Sequence, residues 1–331
     1  MINPAFSSGL ATVLQRYVGM KRALGRQFDS ATHTLQSLDR LLAKEGYPDL
    51  NTVAFDAWCK TQEHLASGVR RVRRLEVHAF CVYRRRTEPE CFLPDPRSFP
   101  PYHQRLRPHI FTDSEVAQLL DAATKLKRNS STPLRPELTR LAIVLLFTTG
   151  MRRGELLNLT EGDYDRREAT LHVRATKFYK SRLLPIHEGI AKEIEKCLAA
   201  RAKLKLPSSP STPLIWNATR GGRAYTGTGI SSCIKPLLHQ CGIKAASGLT
   251  PRIHDFRHSF AVNALLRWYR TGADVDAKLP LLATYLGHGS ALSTHHYLHF
   301  IEPMRAAASE RFAKRYGSLI VPPAAKKGRS R

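Results

Sequence analysis

The chain has 331 residues, of which 42% are hydrophobic and 24% charged, an ordinary globular mix that excludes a disordered, collagen-like or disulfide-stapled chain. At about 150 residues per domain the length sets roughly two domains. Lys and Arg number 52 against 27 Asp and Glu, a net charge of +25; solubility needs far less, so the surplus points to a polyanion, nucleic acid first.

Six cysteines stand at Cys59, Cys81, Cys91, Cys197, Cys233 and Cys241, none in C-x-x-C spacing, so neither a zinc knuckle nor a dithiol redox motif is indicated. No apolar run reaches the ~18 residues of a membrane span, and polar residues break the apolar runs of the first twenty-two positions. The expected setting is a reduced cytoplasmic, nucleoid-associated one, with no membrane contact.

In chain order, Leu10, Leu14, Tyr17 and Val18 recur at helical spacing, as do Leu35, Leu38, Leu41 and Leu42. Little alternates with period two before residue 90, so this part is expected to be helical. It closes on two arginine runs, Arg70, Arg71, Arg73 and Arg74, then Arg84, Arg85 and Arg86. They are candidates for a phosphate-contacting face, against the plainer reading of a solvated helix face. Residues 94–108 carry Pro94, Pro96, Pro100, Pro101 and Pro108, which remove backbone donors and disfavour helix. This is the expected linker, and the boundary falls near residue 110. Both sides of it are basic, +7 before residue 112 and +18 after it.

Thr112 followed three residues later by Glu115 reads as a capping box opening a helix. Leu138, Leu141, Ala142, Leu145 and Leu146 form an apolar stripe that predicts a buried helix. Around 169–187 two short β-prone runs read as a hairpin with a basic tip holding Lys177 and Lys180. Helical periodicity resumes at Ile190, Ile194 and Leu198. The leucines at 281–286 read as core. The expected domains are 1–110, helical; 111–318, mainly α with a small sheet or hairpin; and 319–331, a basic tail.

Three further segments carry chemistry. The first is Thr149-Gly150-Met151-Arg152-Arg153-Gly154-Glu155-Leu156. The second is His254-Asp255-Phe256-Arg257, which places His254 and Arg257 on one helix face. The third is Leu286-Gly287-His288, with Tyr297 nine residues after His288. Exchange at a phosphodiester needs a nucleophile, cations on the nonbridging oxygens and an acid for the leaving oxygen. These residue types supply all three.

The set, in this order, resembles the tyrosine recombinase (phage-integrase) family over about residues 112–315. That family's pattern is an Arg in T-G-x-R-x-x-E-L, a hairpin Lys, H-x-x-R, and L-G-H with a Tyr nine residues on. The matching positions are Arg152, Lys177, His254, Arg257, His288 and Tyr297. Met151 and Phe256 stand where Leu is commoner, and the stretch from His258 to His288 is long, as in transposon-borne members.

The resemblance implies a helical N-terminal DNA-binding domain and a mixed α/β catalytic domain of tyrosine-recombinase type. It implies site-specific cutting and rejoining of double-stranded DNA through a 3′-phosphotyrosine and a Holliday junction. The assembly would be a homo-tetramer on synapsed DNA, alone or with related recombinases, with no metal, ATP or other cofactor. Tyr297 would be the nucleophile and Arg152 and Arg257 the phosphate clamp. Lys177 would be the acid, with Lys180 its rival on the hairpin. His254 would assist proton transfer, His288 would bond the phosphate, and Glu155 would orient the Arg152 segment. Arg153 beside Arg152 is expected on the DNA backbone or the surface.

His254 and His258, with His295, His296 and His299, allow a zinc reading, but H-E-x-x-H is absent. His258 is expected to be structural and Tyr285 to pack. A helical pattern at Met304, Ala307, Ala308, Phe312 and Ala313 would pack on its own domain or dock on a neighbour. The competing functions are a type IB topoisomerase-like nicking and resealing enzyme and a non-catalytic DNA-binding protein.

Overall fold

The computed structural model describes residues 6–26, 28–102, 107–174, 181–287 and Tyr297. The chain separates into two compact units, Met1–Arg105 and Leu106–Arg331.

The first unit is helical, as its periodicity requires. Helices α1 (Ala11–Ala23), α2 (Asp29–Glu45), α3 (Thr52–Lys60) and α4 (Ser67–Arg84) enclose Leu14, Tyr17, Leu35, Leu38, Leu42, Trp58 and Phe80. Their ends are set locally. Gly46 takes the left-handed conformation that stops α2 (φ 70°), and the Asn51 side chain accepts the Ala54 amide to open α3 at 2.9 Å. Buried Asp39 accepts the amides and hydroxyls of Ser7 and Ser8, tying the segment before α1 to α2. After α4 the proline-rich segment holds a 3₁₀ turn, Pro96–Ser98.

The second unit is built round α6 (Arg135–Thr149), whose residues 141–146 are all buried. A helix apolar on every side belongs in the middle of a domain. Against it lie α5 (Asp113–Thr124) and α7 (Arg153–Asn158), followed in sequence by β1 (Tyr164–Asp165), β2 (Thr170–Val173) and β3 (Arg182–Pro185). The expected capping box at α5 is present, with Thr112 and Glu115 bonded reciprocally.

The three strands form one antiparallel sheet in the order β1-β2-β3, with Leu171 opposite Leu184. The expected hairpin is thus β2 and β3, and the expected basic tip between them, with Lys177 and Lys180, lies outside the described residues. Then come α8 (Glu188–Lys203), β4 (Trp216–Asn217), α9 (Thr219–Gly222), β5 (Arg223–Ala224), α10 (Gly227–Gln240), α11 (Ile253–Arg270) and α12 (Val275–Leu286). The two-residue pair β4–β5 is a second sheet that the sequence did not announce.

Phe111 stacks on Phe256 of α11, ring centroids 4.2 Å apart, and the Phe111 amide donates to buried Ser259 Oγ at 2.8 Å. The start of the unit is thereby fixed to the helix that carries His254 and Arg257. Leu279, Leu282 and Leu286 of α12 pack on Val262 and Leu265 of α11. Leu281 departs from the expectation for 281–286 and is exposed. No helix among the described residues is long and apolar enough to cross a membrane.

Candidate active site

The end of α6, the starts of α7 and α11, the end of α12 and the start of β3 meet in the second unit. Helix α6 stops at Gly150 because Gly150 is left-handed (φ 61°) and closely enclosed. A Cβ there would lie 2.5 Å from Phe260 Cδ1 and 2.9 Å from Leu286 Cδ2. The chain then turns through Met151, buried in the core, and α7 begins with Arg152 at its N-cap.

Glu155, three residues on and buried, is the hub. Its carboxylate accepts the Arg152 amide at 2.9 Å and Arg152 Nη1 at 2.7 Å. It also accepts Nη1 and Nη2 of Arg182, at 3.3 and 2.8 Å. Burial alone would raise the Glu155 pKa, but the bonds from Arg182 and Arg152 outweigh it and hold the carboxyl below its usual range. Arg152 Nη2 donates to the carbonyl of Gly287 at 3.0 Å.

Arg257 lies on α11, 2% exposed. It donates to the Gly150 carbonyl and to the Leu286 carbonyl, each at 2.7 Å. Burial and the nearby Arg152 cation both disfavour its charge, and its pKa falls to about 10. Arg257 thus remains charged at neutral pH with a second cation beside it. Among the described residues, Arg152, Arg182 and Arg257 against Glu155 leave a local excess of two positive charges, the electrostatics of an anion site.

Tyr297 is buried and hydrogen-bonded to Arg257. Burial lifts its phenol above the ordinary tyrosine range, while Arg257 and Arg152 pull it back. His258 stands edge-on to the Tyr297 ring at 5.4 Å, and edge-on to His254 at 4.8 Å. Burial and then Arg257 depress the His254 pKa, so that imidazole is neutral at pH 7.

The structure therefore brings together Arg152, His254, Arg257 and Tyr297 of the six expected catalytic residues. Lys177 and His288 lie outside the described residues, as do Lys180, His295, His296, His299 and everything from Met304 to the basic tail. Tyr285 packs as expected, stacked on Phe260 at 5.4 Å. His258, expected to be structural, stands beside Tyr297. Sequence reasoning missed Arg182 altogether. Among the described residues no group of three or more His, Cys, Asp or Glu side chains is arranged to hold a metal ion.

The expected DNA-contacting arginines divide by surroundings. Arg85 and Arg86 are exposed, and Arg85 Nε donates to the Cys91 carbonyl at 3.2 Å. Arg70, Arg71, Arg73 and Arg74 are partly exposed on α4. Arg71 donates to the Phe99 and Pro100 carbonyls at 3.3 and 3.1 Å and lies over the Tyr102 ring, and Arg73 donates to Gln62. Arg84 is a correction. It is buried, and its guanidinium is held by Asp49, at 2.7 and 3.1 Å, and by Glu88. It ties α4 to the α2–α3 connection instead of facing a ligand. In the second unit exposed Arg153 reaches the Gly227 carbonyl and Ser231 Oγ, both at 3.4 Å.

The phage integrase family model matches residues 109–302, more than half of the chain. The integrase/recombinase homologue y4rB of Sinorhizobium fredii is 30% identical over 305 residues, covering 92% of this chain and 96% of that protein. The tyrosine recombinase XerA of Thermococcus kodakarensis is 31% identical over 198 residues, 60% of each chain. Among solved structures, the XerH site-specific recombinase bound to palindromic difH substrate, a post-cleavage complex, is similar in fold. Its TM-score is 0.61 at 18% identity, over 90% of this chain and 84% of that one. The chain belongs to the phage integrase family.

Proposed function

We propose that this chain is a site-specific DNA recombinase that cuts and rejoins duplex DNA through a 3′-phosphotyrosine on Tyr297. The observation that carries the reading is the burial of Tyr297 in hydrogen-bond contact with Arg257, where the described residues leave an excess of two positive charges. An ordinary core tyrosine has no need of such company. A phosphodiester supplies the missing anion.

In the first step Tyr297 Oη attacks phosphorus. The Oη–P bond forms and the P–O5′ bond breaks. The phenol proton passes toward neutral His254, and the leaving 5′-oxygen takes a proton from Lys177. Arg152 and Arg257 hold the nonbridging oxygens, where a planar guanidinium fork fits better than an ammonium. His288 adds a hydrogen bond to the same phosphate. The new ester keeps the energy of the broken one, so a 5′-hydroxyl from a second duplex reverses the step without ATP or a metal ion.

Two duplexes are exchanged strand by strand through a Holliday junction, on a homo-tetramer or one completed by related recombinases. Residues 1–110 supply phosphate contacts through Arg70, Arg71, Arg73, Arg74, Arg85 and Arg86, joined by Arg153 and Lys180. The net charge of +25 supports such an interface.

The test is a strand-exchange assay on DNA from the flanks of the gene, placed twice in one plasmid and run in chelator without nucleotide. Recombinant circles with one defined crossover are expected. Relaxation of any supercoiled plasmid by a monomer, with no recombinant, would instead establish the topoisomerase-like alternative.

A further inference from the structure

We propose that Arg182 is a positioning residue for strand cleavage: through Glu155 it sets the place of the Arg152 guanidinium on the scissile phosphate. The proposal rests on the reading of the site given above and extends it to a side chain with no part in that chemistry. Arg182 opens β3 and is 10% exposed at the side chain. Both of its terminal nitrogens grip Glu155, which in turn holds Arg152 by the amide and by Nη1. Its guanidinium also lies against Gly287. A Cβ at Gly287 would meet Arg182 Nη1 at 2.8 Å and would be 3.6 Å from Arg152 Nη1. Gly287 is left-handed (φ 67°), and its carbonyl accepts Arg152 Nη2.

Arg152 is thus held on two sides, by Glu155 and by the Gly287 carbonyl, and Arg182 braces both. Without Arg182 the Glu155 carboxylate gains freedom to close fully on Arg152. The guanidinium would then be neutralised and drawn off the phosphate. The loss would fall on the charge clamp, because nothing in this chain of contacts touches the leaving oxygen.

That difference can be read with altered phosphates. The probes are nicked duplexes carrying the cleavage site defined by the strand-exchange assay, in three forms. One has the natural phosphodiester. One has a methylphosphonate, which removes the nonbridging charge. One has a 5′-bridging sulfur, which leaves without a proton. Cleavage is measured as covalent adduct formed per minute by the full chain.

Arg182→Gln is expected to cleave the natural phosphate about 100-fold more slowly, the scale of one lost transition-state contact. It should recover most of that deficit on the methylphosphonate and none of it on the bridging sulfur. Arg182→Lys, which keeps charge but not the two-pronged grip, should fall between. Arg152→Ala with Arg182→Gln should be no slower than Arg152→Ala alone. Recovery on the altered phosphates is read within one variant across substrates, so partial unfolding cancels from it.

An equal deficit on all three substrates would reduce Arg182 to a structural residue. Recovery on the bridging sulfur would place it with the leaving-group acid. Either outcome overturns the proposal while a Tyr297 adduct in the unaltered chain leaves the reading of the site standing. An adduct on another residue would overturn both.

Discussion

The Arg257 guanidinium donates to the carbonyl of Gly150 at 2.7 Å, across 107 positions of sequence. The bond joins the end of α6 to α11, and the partner bond to the Leu286 carbonyl joins the end of α12. Three helices are thereby pinned round one cation. The side chain proposed to hold phosphate also holds the backbone that presents Arg152 and precedes His288.

Gly150→Ala tests that pinning. The left-handed backbone costs a β-carbon about 1–2 kcal/mol, and contact with Phe260 and Leu286 adds roughly 1–3 kcal/mol of overpacking. A lower melting temperature is expected, with cleavage lost more than DNA binding. Calorimetry and a gel-shift titration on the same preparation check it. Unchanged melting would mean that the turn tolerates a side chain.

Arg257→Lys keeps the charge but loses the fork. One carbonyl of the pair, Gly150 or Leu286, then goes without its donor. Cleavage is expected to fall by about 100-fold or more, with DNA affinity within a few-fold of the parent. Equal loss of affinity and cleavage would show that Arg257 serves ground-state binding instead.

The pH profile follows from two shifts. His254 has a depressed pKa and Tyr297 a raised one. Proton uptake by His254 requires its neutral form, so cleavage should rise with pH through an inflection below ~6.5 and then flatten. In His254→Gln the plateau should disappear, and cleavage should climb with phenol ionisation up to pH 9. The same depression acts on stability. As pH falls below ~6.5 the unfolded chain takes up a proton that folded His254 still refuses, so stability is lost in that window. Cleavage rates and chemical denaturation at pH 5, 6 and 7 check both signs.

Arg84 and Arg86 separate packing from binding. Arg84→Ala is expected to cost about 2 kcal/mol, because it deletes a buried cation while half-exposed Asp49 and Glu88 regain water. Exposed Arg86→Ala should leave melting unchanged and lower the salt dependence of DNA binding by about 0.9 in log–log slope. The reverse pattern would exchange their roles.

Much of the fold was legible because its signals are local or periodic. Thr112 and Glu115 marked the start of α5, and the 138–146 stripe marked α6. The strands β1, β4 and β5 were not legible, since two residues cannot display a period. Arg84 was misplaced because the three-arginine run was read as one face. Helical spacing puts it with Val77, Phe80 and Cys81, all buried. Arg182 was overlooked for a similar reason. The period of a strand puts it on the same side as buried Leu184, beside the site, but next to Lys177 and Lys180 in sequence its charge reads as part of a basic run. His258 could be placed on the helix face of His254, but only the fold brings Tyr297 to it.

The most direct measurement is covalent capture. The full chain is mixed in chelator with DNA from the flanks of its gene and quenched in denaturant, and the DNA-linked peptide is mapped by mass spectrometry. A nucleotide on Tyr297, lost in Tyr297→Phe, is the expected result. A nucleotide on any other residue, or an adduct that forms only when a divalent metal is restored, would contradict the assignment of Tyr297 as the nucleophile.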